Sequence, residues 1–137
     1  MSEGGNVGEN VGIVQNVFAA FGRGDIPGVL GLLAEDVLWA FPGPPVIPFA
    51  GERRGHEGAT QFFQALGGAV EFEQFEVREL VAQGDKVVAL GFERGRVRAT
   101  GRAFENPWAL VFTLRGGRVA EFRSYEDTAA LAEAFRA

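Results

Sequence analysis

The stretch "ENPWALVFTLRGGRVAEFRSYEDT", Glu105 to Thr128, decides the fold. It reads as two strands joined at Gly116-Gly117, followed by a polar cap, Asp127 or Thr128, onto a last helix. The first strand is apolar on both faces. Trp108, Leu110, Phe112 and Leu114 share one, while Ala109, Val111 and Thr113 share the other. A hairpin with two apolar faces sits inside a larger sheet, and its division into large and small residues predicts that the two faces have different tasks.

Two more strands precede it. "KVVALGFERGRVRA" alternates with Val87, Ala89, Gly91 and Glu93 on one face. "VEFEQFEVRELVA" alternates with a slip: Val70 and Phe72 face one way, then Phe75, Val77 and Val81 the other. A slip near Gln74 predicts a bulge, which bends a sheet. The N-terminal half is helical. Val14, Val17, Phe18 and Phe21 stand at helical spacing over Val11 to Phe21. Asp25 and Pro27 open a second short helix through Leu33, Val37 to Phe41 is a short strand, and His56 to Leu66 is a third helix with Ala59, Phe62, Phe63 and Leu66 on one side. "PGPPVIPFAGERRG" reads as a stiff irregular loop, because its prolines deny backbone donors. Helices first and meandering strands later predict an α+β fold, with the N-terminal helices on the concave face of a curved antiparallel sheet.

Composition limits the chemistry. One domain accounts for all 137 residues, with residues 1–10 read as a frayed tail. There is no Cys, so disulfides, thiolate nucleophiles and Cys-ligated metals are excluded. His56 is the single His, too little for a zinc site or a His-based triad, and its expected place is the surface of the third helix. No metal or cofactor is expected. Net charge is −5 and the arginines are dispersed, which argues against nucleic acid. No apolar run is long enough to span a membrane, and the opening "MSEGGNVGEN" lacks the regions of a signal peptide, so the expected location is cytoplasmic.

If Ala109, Val111 and Thr113 face the helices together with Val87, Ala89, Gly91 and Glu93, and with Ala120, Phe122 and Ser124, small side chains line the concave side and leave a cavity. Leu90, Phe92, Trp108, Leu110, Phe112 and Tyr125 then cover the convex side, an apolar area that predicts a homodimer. Glu93 is the one ionisable member of the inner set. Two roles are open to it: a solvated or ion-paired strand-end residue, or a general acid/base whose pKa is raised by desolvation.

Three segments carry a resemblance: "VFAAFGRGDIPGVLGLLAEDVLWAFPG", "AGERRGHEGATQFF" with its G-x-x-x-G approach to the third helix, and "GRAFENPWALVFTLRGGRVAEFRSYEDT" with its F-x-x-x-x-G-[KR]-[IV]-x-x-x-R-x-Y-x-D ending. They resemble the nuclear transport factor 2-like superfamily, and within it the SnoaL-like group, over about Val11 to Phe135. The resemblance implies a cone-shaped, cystatin-like α+β barrel. It implies a pocket for a hydrophobic small molecule, lined by Val17, Phe21, Trp39, Phe41, Phe62 and Phe63 beside Gly91, Ala109, Val111, Phe122 and Ser124. Residues of ketosteroid isomerases are absent: Ala40, Val17 and Ala109 stand at their three catalytic positions. Against the Asp-Arg-Asp set of limonene epoxide hydrolases stand Glu93, Gly91 and Ser124. Tyr125, Arg123 and Asp127 form the terminal signature and read as dimer contact and helix cap. Two functions are open: a cofactor-free isomerase, cyclase or hydrolase using Glu93, or a non-catalytic binding protein of the same shape.

Overall fold

The computed structural model describes residues 6–136. Asn6 caps α1 (Val7–Gly22) by accepting from the Glu9 amide at 3.0 Å. The helix therefore takes in residues expected to fray, while residues 1–5 of the expected tail lie outside the described residues. Asp25 caps the short α2 (Ile26–Leu30), its carboxylate accepting from the Gly28 amide at 2.9 Å. This helix stops before Leu33, which already belongs to β1 (Leu33–Phe41) and pairs with Val119.

The proline-rich loop ends in a strand rather than running irregular to Gly55. Its last proline is Pro48, so the backbone of β2 (Gly51–Arg54) is free to pair with β1, Trp39 opposite Arg53. Then come α3 (Gly55–Ala69), β3 (Val70–Gln83), β4 (Lys86–Val97), β5 (Ala103–Arg115), β6 (Arg118–Glu126) and α4 (Thr128–Phe135). Gly116 and Gly117, at φ +59° and +81°, make the β5–β6 turn.

The six strands form one sheet in the order β2-β1-β6-β5-β4-β3. Four of the five strand pairings are antiparallel as expected, but β1 runs parallel to β6, and the sheet curves without closing into a barrel. The helices pack on its concave side: Phe18 of α1 stacks on Trp108 at 6.0 Å, and Phe62 of α3 meets Trp39 at 5.7 Å.

Two corrections concern which way strand residues face. The pairing of β3 with β4 shifts twice, between Phe72 and Gln74 and between Val77 and Glu79. The first extra residue, Glu73, absorbs the slip, so Phe75 returns to the face of Phe72 and does not cross to the other; the two pair with Glu93 and Gly95. The second correction is larger. On β5 it is Phe104, Asn106, Trp108, Leu110, Phe112 and Leu114 that point inward, whereas Ala109, Val111 and Thr113 lie on the outer face.

Pairing explains the reversal. Phe104, Trp108 and Leu110 lie across from Gly95, Gly91 and Ala89, so small residues on β4 make room for large ones on β5. A Cβ on Gly91 would collide with the Trp108 ring and the Glu76 carbonyl. The convex face thereby loses Trp108, Leu110 and Phe112 from the apolar set expected of it. Leu90 and Tyr125 remain exposed there, and the homodimer expectation rests on correspondingly less area. Among the described residues no helix is long and apolar enough to cross a membrane.

Candidate functional site: a carboxyl pair in an aromatic cavity

The inward aromatics of β5 and β6 meet those of the helices around a cavity of about 70 Å³. Trp39 lies flat on Phe122 with ring centroids 3.9 Å apart, and Phe75 stacks on Trp108 at 5.1 Å. Phe18, Phe21, Phe63, Phe72 and Phe75 are only half-buried, so the wall is thinnest between α1, α3 and β3. The cavity has room for a few water molecules.

Among the described residues, the cavity's charged or carboxyl-bearing lining is the pair Glu93 and Glu126. Glu93 projects from the inner face of β4 and is 6% exposed. Across from it on β5 is Asn106, fully buried. Glu126 closes β6 opposite Trp108, and alternation along β5 and β6 brings it to the same face. Three adjacent strands therefore deliver one polar cluster. The Asn106 amide donates to Glu126 Oε1 at 3.4 Å, and the Ser124 hydroxyl donates to Glu126 Oε2 at 2.7 Å.

Electrostatics follow from the absence of a cation in this wall. Burial pushes the Glu93 carboxyl up from 4.5 to about 9, reinforced by the charge of Glu126 and by the hydrogen bond Glu93 makes to it, against a smaller pull from Asn106. Burial also raises Glu126, opposed by hydrogen bonds from Ser124 and Glu93. Two carboxyls within hydrogen-bonding reach in an apolar cavity resist ionising together, and burial holds the proton on Glu93. The indole N–H groups of Trp39 and Trp108 are buried without a protein acceptor. Among the described residues no cluster of three or more His, Asp or Glu side chains is arranged to hold a metal ion.

The residues expected at the site divide into three groups. Glu93, Val17, Phe21, Trp39, Phe41, Phe62, Phe63 and Phe122 all line the cavity. Gly91 and Ser124 are inward and buried without lining it: Gly91 lies under Trp108, and Ser124 holds Glu126. Ala109 and Val111 are on the outer face, paired with Leu90 and Val88, and do not belong to the site. His56 is half-buried rather than at the surface, its Nε2 3.0 Å from the Leu33 carbonyl.

Sequence reasoning missed Glu126, Asn106 and the inward Trp108. Asn106 was the available signal, a polar residue in phase with Phe104, Trp108 and Leu110. Glu126 keeps the two-residue step from Phe122 and Ser124.

A chain of this architecture, with a lined cavity on the concave side of a curved sheet, can be placed in a family. Residues 14–122 match the SnoaL-like domain, and the chain belongs to that family. An NTF2-like protein from Burkholderia xenovorans LB400 is 44% identical, with a TM-score of 0.88 over 96% of this chain and 98% of that one. An uncharacterised Mycobacterium tuberculosis protein is 25% identical over 123 residues, covering 90% of this chain and 92% of its own length. TerC, crystallised with polyporic acid, shares the fold at 24% identity, with a TM-score of 0.84 over 94% of this chain and 99% of its own.

Proposed function

We propose that the protein binds a hydrophobic small molecule and moves a proton on it without a cofactor, as an isomerase, cyclase or hydrolase does. The observation that carries this reading is the pair Glu93–Glu126, among the described residues the carboxyl lining of an otherwise apolar, mostly aromatic cavity. A carboxylic acid beside a carboxylate offers a proton donor and a proton acceptor at once, at a pH where isolated carboxylates are bases only. On a ketone, the Glu93 O–H bond breaks as its proton passes to the carbonyl oxygen. The Glu126 carboxylate takes the proton from the adjacent carbon, and the enol forms. The proton now on Glu126 passes to Glu93 through their hydrogen bond, so the pair returns to its starting form.

The aromatic walls supply binding and orientation, and exclusion of water strengthens both hydrogen bonds. That TerC was crystallised with polyporic acid supports a pocket for organic small molecules in this fold. The test uses the only two tryptophans, which both line the cavity. Acetophenone should change their fluorescence saturably, and its methyl protons should exchange with deuterated solvent faster in the presence of protein. Glu93→Gln and Glu126→Gln should abolish the exchange and keep the fluorescence change. Binding with no exchange in the wild type leaves the non-catalytic binding protein as the function. No saturable response to acetophenone or to larger aromatic ketones defeats the pocket reading itself.

A further inference from the structure

Two carboxyls that share a proton need not share it evenly, and their surroundings here are unequal. We infer that Ser124 polarises the pair, holding Glu126 as the carboxylate and leaving the proton on Glu93, so that the site selects an uncharged molecule bearing a carbonyl oxygen. The inference rests on the proton-transfer reading above and assigns the two roles within it.

Two observations carry it. The Ser124 hydroxyl, itself 3% exposed, reaches Glu126 Oε2 at 2.7 Å and makes no hydrogen bond to Glu93. A hydroxyl donor stabilises the charged form of the acid it touches. The Asn106 amide reaches Glu126 Oε1 at 3.4 Å but also favours the charged form of Glu93, so it does not separate the two. Solvation differs too: Glu126 is half-buried at the end of β6, beside the N-terminus of α4, while Glu93 is buried in the body of β4. Charge settles where water can reach it.

No other titratable group competes. The residues lining the cavity from α1, α3, β1, β3, β5 and α4 are all apolar. Arg94 and Arg123, neighbours in sequence of Glu93 and Ser124, pair on the outer face with Glu105 and with Glu52 and Glu121. The cavity therefore holds one negative charge with no counter-ion, and a ligand carboxylate would add a second. A carbonyl oxygen instead accepts from Glu93 without adding charge.

Ser124 is thus a positioning residue. Its test reads protonation directly, by carbon-detected NMR titration of protein labelled at the glutamate carboxyl carbons, with Glu93→Gln and Glu126→Gln for assignment. At pH 7 the Glu93 carbon should resonate as the acid and the Glu126 carbon as the carboxylate. Ser124→Ala should lower the ionisation constant of Glu126 about tenfold, the worth of a hydrogen bond to a charged group, and Ser124→Thr, which keeps the hydroxyl, should restore it.

A proton found on Glu126, or titrations unmoved by Ser124→Ala in a variant whose thermal unfolding matches wild type, overturns the inference and leaves the pair as a proton-transfer centre. Both carboxyls ionised at pH 7 overturns that reading as well. In binding, acetophenone should outcompete benzoate at least tenfold at pH 7. Equal binding of the two overturns the selectivity for uncharged ligands.

Discussion

Glu93 and Glu105 sit one step apart on the same two-stranded ribbon. Glu93 pairs across the strands with Asn106, and the next pair along is Arg94 with Glu105. Because successive residues point to opposite faces, this single step turns one carboxylate into the cavity and the other into solvent. Glu105, more than half exposed, meets Arg94 at 2.9 Å. Glu93 meets no cation, and burial holds its proton on to about pH 9. Two glutamates with the same backbone thus do different work, and the face of the sheet decides which. The outer pair is a solvated surface contact; the inner glutamate keeps its proton inside the cavity.

Four changes would break or sharpen this contrast. The largest effect should come from Gly91→Val, which puts a side chain where Trp108 and the β3 backbone already lie. It should cost roughly 3 kcal/mol or more, the upper end of overpacking, read by denaturant unfolding. If the variant is as stable as wild type, the β4–β5 register that sends Glu93 inward is wrong.

Next, Glu93→Gln should stabilise the fold at pH 8 and do little at pH 4. The folded pKa of Glu93 stands above its unfolded value. Its favourable contribution is therefore complete below pH 4.5 and fades as pH rises to about 9, with a slope of up to about 1.4 kcal/mol per pH unit. Thermal unfolding of both proteins across that range checks it, and a pH-independent difference would place Glu93 in water.

A smaller effect is expected of Ala109→Phe. On the outer face, between Leu90 and Tyr125, the added ring should change stability by less than about 1.5 kcal/mol. It should leave the tryptophan response to acetophenone intact, and loss of that response would return Ala109 to the pocket. The smallest effect is Arg94→Ala, about 0.2–1 kcal/mol and largely lost in high salt. A change larger than that would make the outer pair more than a surface contact.

Much of the fold was legible in the sequence. Helical spacing in "VFAAF" and "QFFQAL", the glycine pair at 116–117 and the caps at Asp25 and Asp127 each act locally, so they can be read locally. What failed was register. Whether Trp108 or Ala109 faces the helices depends on which residue of β4 lies opposite, a contact between positions far apart in the chain. Alternation alone leaves both answers open. The complementarity of Gly91 and Gly95 with Trp108 and Phe104 would have resolved it. Glu93 was legible because it interrupts a run of small residues. Glu126 was not, because a glutamate next to a helix cap looks like any surface acid until three strands are assembled around it.

The open sheet leaves β3 as a bare edge, a row of backbone donors and acceptors of the kind that invites other chains to add strands. This edge is defended. Glu71, Glu73, Glu76, Arg78 and Glu79 crowd it with charge, and the register shifts at Glu73 and Arg78 break the row twice. The bulges, the first of which brings Phe75 to the cavity face beside Phe72, thus also interrupt an edge of the kind that stacks into fibrils. A variant that removed them to straighten β3 would put solubility at risk along with the pocket.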